Sequence, residues 1–484
     1  MKNETRPPIV AILGHVDHGK TTLISKIKQV DLTKKEFGGI SQHIGAYQIK
    51  VKSPDKKVKT ITLIDTPGHV AFSKMRSRGA KVADLAILVV AADEGVKPQT
   101  LESLKHIKTT KIPYLVAINK IDLPTAKKLD WLKGNLAENK IFVEGYGGDV
   151  LAVSVSAKTG KGVDQLLEMV LLLAEMAELK ANPQGKLEAV VIESRLDKSR
   201  GPLATVLIRD GTLKVGEKIV AEETYAKVKA IFDENGKKVN QAGPAQPVEV
   251  LGFDQVPPVG TKIVKSTVEK SVPLLESKKE VSEIKKVVDK EKGLNIILKA
   301  DVLGTLEAIL SSLPEEVKII LSKVGEISES DILLASSTKA EIIGFNIKTP
   351  GCVKKLAETE KVEIKTYQVI YDLLDEIEKR ILKKLEPTID EEILGEAKII
   401  AEFEIKGQRI AGCRVKKGQI SKKDKVHLKR GKKILGDGWI KSLKIGKEVV
   451  EKVKVKDEFG VILSDNLVDF VVGDVLISYR SAAE

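Results

Sequence analysis

Eight residues near the N-terminus have the types and the spacing needed to bind a phosphate group. They run from Gly14 to Thr21 with the sequence GHVDHGKT, after the apolar run Ile9–Leu13 and before a helix-favouring stretch. A strand, a glycine-rich turn and a helix N-terminus in this order form a loop whose backbone N–H groups face phosphate oxygens. We predict that Lys20 reaches the β- and γ-phosphates of a nucleotide and that the Thr21 hydroxyl binds Mg²⁺. A glycine-rich turn with an exposed lysine is the alternative interpretation.

A second group of residues follows the predicted strand Ile61–Ile64 and has the sequence DTPGH. Asp65, at the carboxyl end of that strand, can hold Mg²⁺ through a water molecule. Gly68 can offer its N–H to a γ-phosphate, and its freedom in φ lets the loop move when that phosphate leaves. His69 stands beside this sensor, where its side chain can orient the attacking water. We favour this catalytic role over that of an ordinary surface histidine.

Two further groups indicate which base the site binds. The sequence NKID at 119–122 follows the predicted strand Tyr114–Ile118, and SAK at 156–158 follows Leu151–Val155. The Asp122 carboxylate can accept hydrogen bonds from N1–H and the N2 amine of guanine, and adenine lacks these donors. Because four such groups occur in this order, each after a strand, we predict GTP and GDP with Mg²⁺ as ligands rather than ATP.

The predicted site therefore contains a nucleotide-binding set, a metal-binding pair and one catalytic residue. The nucleotide-binding set is Asp17, His18, Gly19, Lys20, Thr21, Thr22, Asp65, Gly68, Asn119, Lys120, Asp122, Ser156, Ala157 and Lys158. The metal-binding pair is Thr21 and Asp65, and the catalytic residue is His69. His15 and His18 lie within the phosphate loop, and the sequence assigns no separate chemical role to either side chain.

Composition limits the class of protein that can carry this site. The chain has 484 residues, 42% hydrophobic and 31% charged, so at roughly 100–200 residues per domain it should form several domains. It has no apolar run long enough to cross a membrane and no signal peptide, so we expect a cytoplasmic protein without a membrane partner. The two cysteines are too few for a disulfide framework. A net charge of +13 favours an RNA partner, although a solvated lysine surface is the alternative.

The hydrophobic pattern predicts a multidomain protein of α/β and β modules. In two parts of the chain, short apolar runs typical of buried strands alternate with segments of helical periodicity, which predicts α/β modules. In two other parts, apolar and polar residues alternate between glycine turns, which predicts β-barrels. The predicted segments are a P-loop GTPase domain at 1–178, a β-barrel at 184–268, a charged linker at 269–292, a small α/β domain at 293–365, a connecting helix at 366–388 and a C-terminal β-barrel at 392–484.

The two predicted barrels share a spacing that indicates a repeat. Ala204, Gly211, Leu213 and Ile219 match Ala411, Gly418, Ile420 and Val426 at a constant offset of 207 residues. Barrel geometry alone could produce such coincidences, but their order and turn spacing favour two copies of one barrel type.

The segment Tyr367–Glu386 has apolar residues at spacings of three and four, which predicts one helix with one apolar face, ended by Pro387. A helix packed on its own domain and a connecting rod are both compatible with this pattern.

Beyond these motifs, several stretches resemble one family. They are Gly38–Ala46, Asp65–Phe72, Ala91–Asp93, Arg200–Pro202 with Ala204–Val206, Leu298–Asp301, Val369–Tyr371 and Ile410–Cys413. Together they make almost the whole chain similar to the bacterial translation initiation factor 2 family of translational GTPases, in a short form that lacks the N-terminal extensions typical of many such factors.

The resemblance implies a function and a set of partners. It implies GTP-dependent recruitment and protection of formylmethionyl initiator tRNA, joining of the 30S and 50S ribosomal subunits, and GTP hydrolysis triggered on the ribosome. Ribosomal RNA, initiator tRNA and other initiation factors would be the partners of a monomeric chain. The resemblance also raises the connecting-rod interpretation of the helix above the packed one and makes Ser41, where such factors usually carry threonine, a third magnesium ligand.

The resemblance to the initiator tRNA site is weaker. It assigns Cys413, Glu458, Phe459 and Gly460 to the pocket for formylmethionine. Phe459 replaces a family cysteine, and Ile445 stands where a family arginine is expected. The same barrel has nine Lys or Arg and one acid from Lys416 to Lys433, which suits an RNA backbone or a solvated surface. Trp439 could stack on a base or lie in the core.

Two other functions stay open from the sequence. Ile445 and Phe459 are compatible with a translational GTPase for another or a non-formylated aminoacyl-tRNA. The phosphate loop is also compatible with an RNA-binding or chaperone module that GTP stabilises and that hydrolyses it only incidentally.

Overall fold

The computed structural model describes twelve ranges of the chain. They are 4–29, 41–52, 58–125, 129–266, 294–385, 391–405, 408–422, 424–430, 433–446, 448–455, 457–464 and 470–481. The predicted linker 269–292, the family-like residues 38–40 and the predicted helix stop Pro387 lie outside them. The chain forms two compact units, Met1–Ile377 and Glu378–Glu484.

The first module of the N-terminal unit is a three-layer α/β fold. In chain order its elements are β1 (Glu4–Thr5), β2 (Ile9–Gly14), α1 (Lys20–Lys28), β3 (Gly45–Lys52), β4 (Val58–Asp65), α2 (Ser73–Val82), β5 (Leu85–Ala91), α3 (Pro98–Thr110), β6 (Tyr114–Asn119), α4 (Leu129–Glu138), β7 (Ala152–Ser154), α5 (Val163–Met176) and β8 (Lys180–Ala181). The short strands β1 and β8 pair with each other.

The sheet of this module explains why its motifs meet. Its order is β3-β4-β2-β5-β6-β7, and all neighbours are parallel except β3 and β4. The central strands are apolar throughout because both faces are covered, and every residue of Ile9–Leu13 is fully buried. Since parallel strands end at one edge, the loops after β2, β4, β6 and β7 lie together there.

The second module is a closed β-barrel. Its strands are β9 (Glu188–Asp197), β10 (Gly201–Asp210), β11 (Leu213–Lys214), β12 (Lys218–Ala221), β13 (Thr224–Phe232), β14 (Lys238–Val239), β15 (Gln241–Ala242), β16 (Pro247–Phe253) and β17 (Lys262–Lys265). Six of them close the ring in the order β9-β10-β16-β13-β12-β17, and β17 returns to β9. Alternate residues fill the interior.

The third module is a small parallel α/β fold. It contains β18 (Leu294–Ala300), α6 (Leu303–Ser312), β19 (Val317–Val324), α7 (Glu329–Thr338), β20 (Glu341–Phe345), α8 (Gly351–Thr359) and β21 (Ile364–Tyr367). The sheet order is β19-β18-β20-β21. The following helix, α9 (Ile370–Leu385), buries Ile370, Leu373 and Ile377 within the N-terminal unit.

The C-terminal unit contains a second closed barrel. Its strands are β22 (Glu391–Ile405), β23 (Gln408–Ser421), β24 (Lys425–Arg430), β25 (Lys433–Ile445), β26 (Glu448–Val449), β27 (Lys452–Lys454), β28 (Glu458–Leu463) and β29 (Val475–Ser481). Six close the ring in the order β22-β23-β28-β25-β24-β29, and β29 returns to β22. Strand for strand, this is the pairing order of the first barrel.

The repeat predicted from the 207-residue offset agrees with the two pairing orders. Ala204 and Ala411 are buried in the second strand of their barrels. Gly211, which follows β10, and Gly418, which lies within β23, both have positive φ, 73° and 66°, where side chains are disfavoured. The two barrels and two α/β modules confirm the predicted fold class. No helix among the described residues is long and apolar enough to span a membrane.

Candidate nucleotide-binding site

The turn between β2 and α1 buries a lysine ammonium. Lys20 is the first residue of α1, its side chain is 6% exposed, and its Nζ donates to the carbonyl oxygen of His15 over 2.6 Å. Burial lowers the pKa of Lys20 to about 8. A neutral carbonyl compensates only part of a buried positive charge, so phosphate oxygens would be stronger partners here.

Three oxygen-bearing side chains meet beside this lysine. The hydroxyls of Thr21 and Ser41 are 2.5 Å apart, and Ser41 Oγ lies 3.4 Å from Asp65 Oδ2. They come from α1, from the segment before β3 and from the end of β4. Two hydroxyls and a carboxylate are hard oxygen donors of the kind that Mg²⁺ prefers. The donor set therefore fits magnesium.

The base side of the site is held together by Asn119 and Ser156. Asn119 donates from Nδ2 to the carbonyl oxygen of His18 over 2.9 Å and accepts from the N–H of Ala157 over 2.9 Å, which ties the phosphate loop to the loop after β7. Ser156 Oγ donates to Asp122 Oδ1 over 2.7 Å. That hydrogen bond lowers the pKa of Asp122, so the carboxylate is ionised.

The loop after β4 brings the sensor glycine and the histidine to the phosphate loop. A Cβ on Gly68 would lie 2.6 Å from Lys20 Nζ and 3.0 Å from the backbone N of Val16, so only glycine fits this approach. His69 caps the 3-10 turn Val70–Phe72 by accepting the N–H of Ala71 at Nδ1 over 3.1 Å. A neutral imidazole with Nδ1 as acceptor carries its proton on Nε2.

Burial and a neighbouring charge keep His69 neutral. Burial lowers its pKa, and the positive charge of Arg76 lowers it further. His18 is different because its ring is fully buried, with Nδ1 3.3 Å from the carbonyl oxygen of Val89. Burial lowers the pKa of His18 to about 4. The ring of His18 thus faces the protein interior, and the residue meets the site through its backbone.

One cavity of about 160 Å³ gathers most of the predicted phosphate-side residues. Its lining includes Asp17, Gly19, Lys20, Thr21, Thr22, Ser41, Gly68 and His69. A neighbouring hollow is lined by Thr22, Ala157 and Lys158 on the base side. Lys120 lies nearby, with Nζ 3.7 Å from both Asp93 and Glu94. The structure therefore brings the four motifs to one edge of the sheet.

Residues at the start of α9 also reach this cavity, and the sequence patterns missed them. Tyr371 lines it, with its ring edge-on to His69 and 4.2 Å between ring centroids. Gln42 donates to the carbonyl oxygen of Gln368 over 2.7 Å and accepts the N–H of Ile370 over 3.1 Å. Contacts between residues 326 positions apart in sequence leave no local pattern from which they could be predicted. The sequence signal for this segment was the resemblance of Val369–Tyr371 to the family.

The residues proposed for the initiator tRNA pocket divide between the two faces of the second barrel. Cys413 and Phe459 face each other across β23 and β28 with side chains in the core, and burial raises the pKa of the Cys413 thiol to about 12. Glu458 and Gly460 lie on the outer face, where Arg414 Nε donates to Glu458 over 2.9 Å. Trp439 is 56% exposed, which excludes the core interpretation.

Models of known protein families match three parts of the chain. Residues 5–176 match the elongation factor Tu GTP binding domain, 186–266 match elongation factor G domain 2, and 273–378 match translation-initiation factor 2. The fold and these matches therefore place the chain in the class of translational GTPases.

Curated relatives identify the family within that class. Translation initiation factor IF-2 of Aquifex aeolicus is 45% identical over 99% of this chain, and that of Caldanaerobacter subterraneus is 44% identical over 98%. The chain belongs to the translation initiation factor IF-2 family. It spans 61% and 69% of the length of these two relatives. A crystal structure of GDP-bound aIF5B from Aeropyrum pernix is 28% identical, covering 98% of this chain and 92% of that one, with a TM-score of 0.49.

Proposed function

We propose that the chain hydrolyses GTP to GDP and phosphate and uses the loss of the γ-phosphate to end a bound state. One observation carries this proposal: Lys20, Gly68 and His69 line one cavity beside the oxygen cluster of Thr21, Ser41 and Asp65. In the reaction a water oxygen bonds to the γ-phosphorus while the bond from phosphorus to the β–γ bridging oxygen breaks. The bridging oxygen and its electron pair leave with GDP.

Each side chain has a defined task in this scheme. The Lys20 ammonium stabilises negative charge on the β- and γ-phosphate oxygens. The Gly68 N–H donates to a γ-phosphate oxygen. His69, with its proton on Nε2, donates a hydrogen bond that orients the attacking water, and the proton of that water passes to a γ-phosphate oxygen. His69 acts as a donor in this arrangement because its Nδ1 is already occupied by the N–H of Ala71.

Magnesium fits the oxygen cluster: Thr21 and Ser41 would hold it directly, and Asp65 would hold it through water. When bound, it would neutralise charge on the β- and γ-phosphates. Ser41 joins the cluster from the segment that leads into β3, so metal and γ-phosphate together would order this segment.

We further propose that this switch serves initiation on cytoplasmic ribosomes. The GTP form would recruit and protect formylmethionyl initiator tRNA and promote joining of the 30S and 50S subunits, and the ribosome would trigger hydrolysis. The relatives' names support initiation. Lys425 and Trp439 are exposed and pair across β24 and β25, so a cation and an aromatic ring lie side by side on a surface suited to tRNA.

A His69→Ala variant tests the hydrolytic part of the proposal. Without the orienting donor, we expect ribosome-stimulated hydrolysis in single-turnover assays to fall by about 100-fold or more, while GDP affinity stays within about twofold. Unchanged hydrolysis would favour a module in which GTP is only structural. Lys105→Ala, at an exposed position of α3, is the control.

Specificity for the formyl group needs its own test, because Phe459 lies in the core and Ile445 is 40% exposed without a cationic side chain at that position. We expect formylmethionyl-tRNA to compete more strongly than methionyl-tRNA and elongator aminoacyl-tRNA for the full chain. Equal competition would favour the second candidate, a factor for non-formylated aminoacyl-tRNA.

A further inference from the structure

Arg76, in the helix that follows the sensor loop, is a charged side chain with no exposed surface. It lies in the second turn of α2 and is the largest of the fully buried side chains. Taking a guanidinium out of water is costly unless its charge and N–H groups are matched by partners. The hydrogen-bond partners of Arg76 therefore indicate its role.

One end of the guanidinium holds the two carbonyl groups that flank the sensor glycine. Arg76 Nη1 donates to the carbonyl oxygen of Pro67 over 3.0 Å and also to that of His69. Pro67 O and the Gly68 N–H belong to one trans peptide unit, in which C=O and N–H point in opposite directions. Holding the carbonyl toward Arg76 therefore points the Gly68 N–H away from Arg76. The phosphate loop lies beside Gly68, since an added Cβ would come within 3.0 Å of Val16 and Lys20.

The other end of the guanidinium is anchored to α3. Arg76 Nη2 donates to both carboxylate oxygens of Glu102, over 2.8 and 2.7 Å. Burial raises the pKa of Glu102, but hydrogen bonds from Ser73 and Arg76 outweigh it and hold the pKa below its usual range. Glu102 therefore stays ionised, and its two oxygens share one guanidinium nitrogen, Arg76 Nη2, in a charge-assisted pair.

The same face of α3 also holds the phosphate loop. Gln99, one turn before Glu102, accepts the N–H of Val16 at Oε1 over 2.9 Å, and its side chain is buried. Gln99 thus holds the phosphate loop on one side of the proposed γ-phosphate position. Glu102, through Arg76, holds the sensor loop on the other side. Because both residues project from one rigid helix, α3 sets the distance between the phosphate loop and the sensor loop.

We infer that Arg76, anchored by Glu102, is a positioning residue for GTP hydrolysis, which aims the Gly68 N–H and fixes the backbone of His69. This inference rests on the hydrolytic function proposed above. Arg76 does not line the nucleotide cavity: both of its Nη groups donate to Pro67, His69 and Glu102, and its buried Nε has no hydrogen-bond partner among the described residues. Its loss should therefore reduce recognition of the γ-phosphate and the rate of hydrolysis, and leave GDP binding intact.

Arg76→Lys is the direct test, because lysine keeps the charge but cannot hold two carbonyls and a carboxylate in one plane. We expect the preference for a non-hydrolysable GTP analogue over GDP to fall at least about tenfold and single-turnover hydrolysis to fall by about 30- to 100-fold. GDP affinity should stay within about twofold of wild type. Arg78→Lys, the same change two residues later on α2, is the control and should retain both properties.

A pH profile separates positioning from a general loss of structure. The Arg76 charge contributes to the lowered pKa of His69, so an Arg76→Met/Glu102→Gln double variant should move the acidic limb of the hydrolysis profile to higher pH. Arg76→Lys should leave that limb in place while the plateau rate falls.

Two outcomes would overturn the inference while the proposed function stands. The first is wild-type hydrolysis and GTP preference in Arg76→Lys, with His69→Ala inactive in the same assays. The second is an equal loss of GTP-analogue and GDP affinity in a folded variant. If Arg76→Lys fails to bind GDP because it does not fold, Glu102→Gln replaces it, with an expected three- to tenfold loss of rate at unchanged GDP affinity, and a wild-type rate there overturns the inference. No hydrolysis by the wild type, or no effect of His69→Ala, would instead reject the proposed function.

Discussion

Asp122 is the side chain through which the site would distinguish guanine from adenine. It is exposed at the end of the loop after β6, and the hydrogen bond from Ser156 orients its carboxylate and lowers its pKa. Two carboxylate oxygens can accept both N1–H and the N2 amine of guanine. In this proposal the selection of the base would depend on one ionised acceptor whose orientation is set by the Ser156 hydroxyl.

Asp122→Asn should change the base that is bound. An amide offers one acceptor and one donor, so it cannot pair with both guanine donors but can pair with N1–H and the C2 carbonyl of xanthine. We expect GTP affinity to fall by about 100-fold and XTP affinity to rise, as measured by equilibrium titration. Asp130→Asn, on α4, is the control. Unchanged GTP affinity would show that Asp122 does not contact the base.

His69 gives a second prediction for a single residue. Its neutral form is the donor in the proposed mechanism, and burial with the Arg76 charge lowers its pKa from the usual 6.5. Half-protonation of His69 therefore occurs below pH 6.5, so the acidic limb of the hydrolysis profile should have its midpoint below pH 6.5. A rate that falls by half at pH 7 or above would contradict this, provided that GDP binding is constant across the range.

At the scale of elements, a buried acid lies where β9, α2 and α6 meet. Glu193 Oε1 accepts the N–H groups of Ser194 and Gly304, each over 3.0 Å. Burial raises the pKa of Glu193 to about 7, although these two hydrogen bonds lower it. Asp301 raises the pKa further and Arg78 lowers it. The junction between the first barrel and the second α/β module therefore contains a carboxyl group that is protonated below neutral pH.

Glu193→Gln should make this junction insensitive to pH. The closed junction binds the Glu193 proton more tightly than an open one, in which the pKa returns toward 4.5, so the wild-type junction weakens as pH rises from about 4.5 to 7. Glutamine cannot ionise. The gain of the variant over wild type should grow across this window to about 3 kcal/mol at most. Hydrogen exchange of the Ser194 and Gly304 amides, compared between variants at each pH, measures it.

A matched substitution controls for a general change of charge at this junction. Glu307→Gln removes a carboxylate from α6 that pairs with Arg78 and is 30% exposed. We expect its effect on protection of the Gly304 amide to be nearly the same at pH 5 and pH 8. A pH-independent difference between Glu193→Gln and wild type would show that Glu193 is ionised in the folded protein.

The sequence predicted those strands and helices whose local hydrophobic pattern is distinctive. The strands β2, β5 and β6 match apolar runs because both faces of a parallel sheet are covered. β3 was not predicted, since it is an antiparallel edge strand in which Ile49 and Val51 alternate with lysines and form no continuous apolar run. The boundaries assigned to the six segments remain predictions, although the fold class itself is confirmed.

The sequence predicted only those parts of the site that consist of short motifs, whose residues are adjacent in the chain. The four nucleotide motifs follow strands, so sheet topology brings them together. Gln42, Arg76 and Glu193 were missed because their roles depend on partners elsewhere in the fold: Gln42 on Ile370, Arg76 on Glu102, and Glu193 on Gly304. No periodicity in the sequence indicates such pairs. The role of each predicted site residue stays a prediction that the variants proposed above would test.

At the scale of the whole molecule, the nucleotide site and the proposed tRNA surface lie in different compact units. The nucleotide cavity belongs to Met1–Ile377, and the second barrel belongs to Glu378–Glu484. The division falls within α9, whose first turn contains Tyr371, the residue packed against His69. If the protein acts as a switch, the γ-phosphate bound in the first unit must therefore change the affinity of the second unit for its partners.

Equilibrium binding of the full chain to ribosomes, with a non-hydrolysable GTP analogue and with GDP, tests this central claim most directly. Coupling between two sites in one protein typically amounts to 1–3 kcal/mol, so we predict about tenfold or greater tightening with the GTP analogue, and no such difference in Gly68→Ala, whose Cβ would displace the sensor loop. Equal ribosome affinities in the two nucleotide states of the wild-type chain would contradict the account.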